Sequence, residues 1–158
     1  MKRVWVIALA FVLALAALAG CARKIVGVDA NGNRVEVKDS GDTMTIKGEG
    51  GEVTIASDGS LPWPKGSMGD LPELKGNITA VADTDEGAFV SCDEVSKSDY
   101  EAYVTKLKGL GYEAAMEAAF DENTFMFMGQ KGDYQVVIQL HLDGDGKKGS
   151  CTITYGKS

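Results

Sequence analysis

Turn residues punctuate this chain so often that no stretch between them is long enough for anything but a short strand or one modest helix. From residue 25 to 55 the apolar runs are Ile25-Val26-Gly27-Val28, Arg34-Val35-Glu36-Val37, Thr43-Met44-Thr45-Ile46 and Glu52-Val53-Thr54-Ile55. They are separated by Asn31-Gly32, Ser40-Gly41-Asp42 and Gly48-Glu49-Gly50-Gly51. Asn-Gly steps supply the positive φ angles of tight hairpins. A spacing of about nine residues therefore predicts a meander of short strands. Val35/Val37 and Val53/Ile55 alternate with polar neighbours, giving one thin apolar face. A segment with so few large side chains is expected to be marginally stable alone and to act as a stalk.

The first twenty residues belong to a separate argument. Lys2 and Arg3 precede an uncharged run from Val4 to Ala19, about 16 residues, short of the roughly 20 that cross a bilayer core as a helix. The run ends in Leu18-Ala19-Gly20-Cys21, which resembles the lipobox of bacterial lipoprotein signal peptides. The resemblance implies a diacylglyceryl thioether on Cys21 and cleavage between Gly20 and Cys21. Several acyl chains, palmitate among them, on one cysteine hold a protein at a membrane without a spanning helix. The chain is thus expected in the cell envelope, lipid-anchored outside the cytoplasm. An uncleaved anchor with an incidental thiol is the alternative.

Cleavage there leaves 138 residues, enough for one modest core. Fourteen basic against 23 acidic residues then give a formal balance of −9. Phosphate backbones repel such a domain, so nucleic acid is excluded as an expected partner. Anionic headgroups repel it too, which favours a domain standing off the membrane. The two remaining cysteines, Cys92 and Cys151, lie in strand-like stretches in a compartment where a disulfide persists. A cross-strand bond and two buried free thiols are both consistent with their positions.

Residues 61 to 76 hold Pro62, Pro64 and Pro72, and read as a linker. Trp63 between two prolines is either a plug onto the domain or a solvent-facing contact. Beyond it, Ile78 to Ala82 and Ala88 to Val95 read as strands. Ser98-Asp99-Tyr100-Glu101 has the form of a capping box. Tyr100, Tyr103, Val104, Leu107 and Leu110 then make one apolar helical stripe, ended by Gly111. Thr124 to Gln130, Tyr134 to Leu142 and Ser150 to Tyr155 alternate as strands. Tyr112 to Phe120 is ambiguous between helix and strand.

The stretches WPKGSMGDLPELKGNIT (63–79) and SKSDYEAYVTKLKGLGY (96–112) are similar to an uncharacterised family of bacterial lipoproteins, a domain of unknown function. Its members carry a Trp-Pro linker and a helix of the form YxxYVxxLKxxGF; Tyr112 stands here for the final Phe. The resemblance implies a ββα unit followed by antiparallel strands, tipping residues 112 to 119 toward strand, and implies no activity. The expected fold is α+β: an antiparallel sheet with one main helix, ββα followed by about four strands, preceded by a short β-meander. The expected organisation is a signal peptide at 1–20, a stalk at 21–60, a linker at 61–76 and an α+β domain at 77–158.

Chemistry is mostly conspicuous by the wrong spacing. His141 is the only histidine and has no cysteine cluster near it in sequence, so no metal or other cofactor is expected. Asp29-Ala30-Asn31-Gly32-Asn33 and Asp143-Gly144-Asp145-Gly146 begin like calcium loops, but their twelfth positions are Ser40 and Thr154 instead of Glu. Phosphate-cradling glycine motifs are absent. Phe125-Met126-Phe127-Met128 is the one unusual apolar stretch. It reads as a strand buried on both faces, one under the helix and one under the Trp63 linker. Alternatively, Trp63, Phe125 and Phe127 form an exposed strip for a partner. The function this supports is a non-enzymatic, membrane-anchored binding module for an envelope protein or peptide. A carboxylate-based hydrolase is the alternative, and a structural spacer a third reading.

Overall fold

The structure, a computed structural model, describes residues 23–28, 32–84 and 87–158. The expected lipidation and cleavage positions, Gly20 and Cys21, lie outside them. Ten strands occur in chain order: β1 (Arg23–Val28), β2 (Arg34–Asp39), β3 (Thr43–Gly48), β4 (Gly51–Ala56), β5 (Asn77–Thr84), β6 (Gly87–Val95), β7 (Glu113–Ala119), β8 (Thr124–Lys131), β9 (Tyr134–Leu142) and β10 (Gly149–Lys157). One helix, α1 (Lys97–Gly109), sits between β6 and β7.

All ten strands form a single antiparallel sheet in the order β1-β2-β3-β4-β5-β6-β10-β9-β8-β7. This corrects the α+β expectation of a ββα domain with about four further strands. The described residues are β-rich, with one short helix laid on a long sheet. The reason lies at β4 and β5, which pair from Gly51↔Thr84 to Ile55↔Ala80 across the whole intervening proline segment. The meander expected as a stalk is therefore hydrogen-bonded into the same sheet. Residues 113 to 119 are strand, paired with β8.

α1 is capped two residues earlier than the Ser98–Glu101 pattern predicts. Ser96 is the N-cap, accepting from the Asp99 amide at 3.2 Å and donating to the Asp99 carboxylate at 2.5 Å. That arrangement is the capping-box logic with a shorter acid. At the other end the Tyr112 amide donates to the Leu107 carbonyl and the Gly111 amide to the Lys108 carbonyl, both at 3.1 Å. Gly111 carries φ 93°, as a Schellman cap requires.

The core lies on one face of β5, β6, β10, β9 and β8. Val90, Cys92, Ile153, Cys151, Ile138, Leu140 and Phe127 are wholly buried there. Two covers lie over that face. One is α1, through Tyr100, Tyr103, Val104 and Leu107; the other is the 61–76 segment, through Trp63, Met68, Leu71 and Leu74. The prolines thus belong to a lid without regular structure that folds back on the sheet, with Trp63 as the plug that was one of its two expected roles. The Tyr103 hydroxyl donates to the Pro72 carbonyl at 2.8 Å, fastening the two covers together.

No residue of β1–β4 belongs to that core cluster. These strands form a single layer held by cross-strand pairs. On the face continuous with the core they carry Lys24–Glu36 at 3.0 Å, Lys47–Glu52, and Thr45–Thr54 at 3.3 Å between hydroxyls. Such pairs contribute about 0.2–1 kcal/mol each. Backbone amides should accordingly exchange with deuterium in a gradient, slowest in β6, β9 and β10 and fastest toward β1. Equal protection in β2 and β9 would contradict the single-layer account. Leu107→Ala should cost about 2–5 kcal/mol, read as a lower midpoint in urea unfolding.

Candidate functional site

Register decides what the other face of the sheet presents. In antiparallel pairs, residues directly opposite share a face. One such row crosses all ten strands: Ile25↔Val37↔Ile46↔Val53↔Ala82↔Phe89↔Thr154↔Val137↔Met128↔Met116. Nine of these ten side chains are apolar. The row lies opposite the core face, since its members alternate along each strand with Val81, Val90, Ile153, Val136, Ile138 and Phe127. None of the ten is buried; Ile25 is 51 % exposed and Met116 45 %, at the two ends.

The neighbouring row supplies polarity near the middle. It runs Met44↔Ile55↔Ala80↔Ser91↔Thr152↔Gln139↔Met126↔Ala118 and continues beyond Met44 to Asp39 on β2 and Arg23 on β1, where it is charged. Hydroxyls from Ser91, Thr152 and Thr154 and the Gln139 amide therefore sit between two apolar flanks. A dent of about 340 Å³ opens on this face, lined by Ala82, Phe89, Gln135, Val137 and Thr154. The combination can receive an apolar segment and offer it a few hydrogen bonds at the centre, the usual composition of a recognition surface.

A second depression, about 630 Å³, lies at the same end of the strands and includes Ser67, Asp83, Tyr134, Tyr155 and Lys157. Tyr134 stacks on Tyr155 with ring centroids 5.4 Å apart and planes 7° from parallel. Behind them the Tyr112 hydroxyl donates to Asp70 Oδ1 at 2.7 Å, and Lys131 pairs with Asp70 Oδ2. These two donors, Lys131 foremost, hold the Asp70 carboxyl below the usual aspartate range. Burial and the same carboxylate push the Tyr112 hydroxyl up, so it stays a donor. Gly69 is required there, because a Cβ would overlap the Tyr155 hydroxyl and its φ is 56°. The network ties the 61–76 cover to β8 and closes one end of the core.

The residues singled out from sequence fall as follows. Trp63 is 7 % exposed, Phe125 8 % and Phe127 fully buried, so all three lie in the core and offer no surface strip. β8 is not buried on both faces either. Its phenylalanines point beneath the helix, with Lys97 and Lys108 over their rings, while Met126 and Met128 face the open side. Trp63 and α1 cover the same face, which leaves the methionine face uncovered. Cys92 and Cys151 are direct register partners on β6 and β10, fully buried and carrying free thiols. Burial raises the Cys92 thiol to about 12 and lifts Cys151 as well.

His141 is exposed, and its Nδ1 lies 3.2 Å from the Thr124 hydroxyl. Among the described residues no three His, Cys, Asp or Glu side chains converge as metal ligands. Among the described residues, the carboxyls whose ionisation is displaced, Glu36, Asp58, Asp70, Asp99 and Asp121, are all lowered. Hydrogen-bond donors do this in each case, whereas a general acid requires a carboxyl pushed upward. The open-face row escaped sequence reading because its members are spread one per strand. Met126-x-Met128, Val35-x-Val37 and Val53-x-Ile55 hinted at it locally.

Two outcomes check this description. In the folded protein Cys92 and Cys151 should resist alkylation at pH 8 and both react once denatured, since buried thiols are almost wholly protonated; a mass two hydrogens lighter before reduction would instead reveal a bond. Asp70→Ala should cost about 1 kcal/mol at neutral pH after discounting for exposure. Asp70 is depressed in the folded state, so its contribution is present above the usual 3.8 and lost as pH falls through the lower folded value. The gap between Asp70→Ala and the unsubstituted protein should therefore close on acidification, as read by urea midpoints.

Comparison with protein-family models, with curated proteins and with solved structures finds no significant match to this chain.

Proposed function

We propose that this protein is a lipid-anchored envelope lipoprotein whose sheet binds a polypeptide segment of another envelope component, without catalysis. The observation that carries the reading is the uncovered apolar row across all ten strands. A soluble domain seldom leaves so continuous an apolar strip in water unless something lies on it. Its partner is an apolar or amphipathic segment that fills the dent beside Phe89 and Val137 and bonds to the central hydroxyls and Gln139. Export rests on the charged, apolar and Leu-Ala-Gly-Cys succession at residues 2–21. The acidic surface supports a protein partner over nucleic acid.

Photocrosslinking in the native envelope tests it. A benzophenone residue at Val137 or Met128 should capture one specific partner, and one at Lys106 on the helix side should not. Val137→Asp should reduce capture at Met128 several-fold without unfolding the sheet, because Val137 lies outside the core. Indistinguishable capture from both faces, or no specific product from the open face, would overturn the proposal.

A further inference from the structure

The two edges of the sheet are treated differently. β7, at one end, carries exposed Glu113 and Glu117 and a register shift between Ala114 and Met116. Charge and bulges are the common means by which proteins keep an edge strand from pairing with another chain. β1, at the other end, has no register shift, and its charges, Arg23 and Lys24, are confined to its first two residues. Its register with β2 is unbroken from Arg23 to Val28, and its last four residues, Ile25 to Val28, are uncharged, with Asp29 next in the sequence. Ile25 projects to one face, Val26 and Val28 to the other, and they are 51 %, 49 % and 73 % exposed. An edge strand apolar on both faces needs a cover.

Three features point to what that cover is. Cys21 precedes Arg23 by two residues, so a lipid on its sulfur starts within about 7 Å of the strand. Arg23 and Lys24 are the first charges after it, and cations beside an apolar strip suit a headgroup region. The charge of the domain is also polarised along the chain. Residues 23–56 hold five basic and six acidic side chains, whereas 57–158 hold nine and seventeen. The unit nearest the lipid is thus close to neutral, and the repulsive charge lies beyond it.

We infer that β1 lies in the lipid headgroup layer, with Ile25, Val26 and Val28 as a second membrane contact beside the acylated Cys21. This rests on the lipoprotein reading of Cys21. The sheet then stands on its edge, each successive strand across it a step of about 4.8 Å farther from the bilayer. The strand's outward amides and carbonyls meet headgroups and interfacial water.

The test uses the full-length protein, processed and purified from membranes, carrying Val28→Cys or, as a control, Ala115→Cys on the β7 edge. Cys92 and Cys151 are buried and stay unlabelled by a thiol-reactive environment-sensitive dye. In phosphatidylglycerol/phosphatidylcholine vesicles the dye at 28 should be blue-shifted and protected from aqueous dithionite, while that at 115 is neither. Equal emission and equal quenching at the two sites would overturn the inference while leaving acylation standing. Energy transfer between dyes at position 28 of two copies would overturn it too, showing that a second copy covers β1. Intact mass without acyl groups on Cys21 would remove the lipoprotein reading and this inference with it.

Discussion

Burial of one sheet face beneath two unlike covers is the interaction on which the rest of the molecule depends. α1 and the irregular 61–76 segment share that face, and Tyr103 joins them by its bond to the Pro72 carbonyl. Removing an apolar side chain from this layer leaves a cavity that a close-packed interior cannot refill. The covers extend only over β5 to β8. Everything on the far side of the sheet, and everything in β1 to β4, is organised without a second layer.

This asymmetry explains why polarity changes sides partway along the sheet. From β5 onward the covered face is apolar and the open face is mixed. In β1 to β4 the geometrically equivalent face carries Lys24, Glu36, Lys47 and Glu52, while Val37, Ile46 and Val53 lie opposite. The apolar row is consequently one surface that runs the full width of the sheet, although two segments of different character contribute to it. Its continuity comes from register, since a slip of one residue in any strand would break it.

The strands were legible in the sequence because alternation and turn residues are local signals. Asn31-Gly32 and Lys131-Gly132-Asp133 mark hairpins, and Val136, Ile138 and Leu140 reveal a buried face by spacing alone. The capping box was legible in kind but displaced, because Ser96-Asp99 and Ser98-Glu101 present the same pattern two residues apart. The joining of β4 to β5 was not legible. Three prolines in sixteen residues look like a boundary, and Trp63, Met68, Leu71 and Leu74 have no period that announces a buried side. The FMFM stretch showed its two faces, but which face is covered depends on where the lid lands. The open-face row needed all nine registers before it existed as a pattern.

β10 lies between β6 and β9, though it is the tenth strand in chain order. β1 to β4 can zip up by successive hairpins as the chain becomes available, β5 and β6 join them across the proline segment, and β7 to β9 zip up likewise. The two halves have no strand contact with each other until β10 is inserted between them. Tertiary locking therefore waits for the most distal strand, and long-range closure of this kind is slow compared with hairpin formation. A central strand that comes tenth of ten in chain order thus acts as a built-in delay on folding.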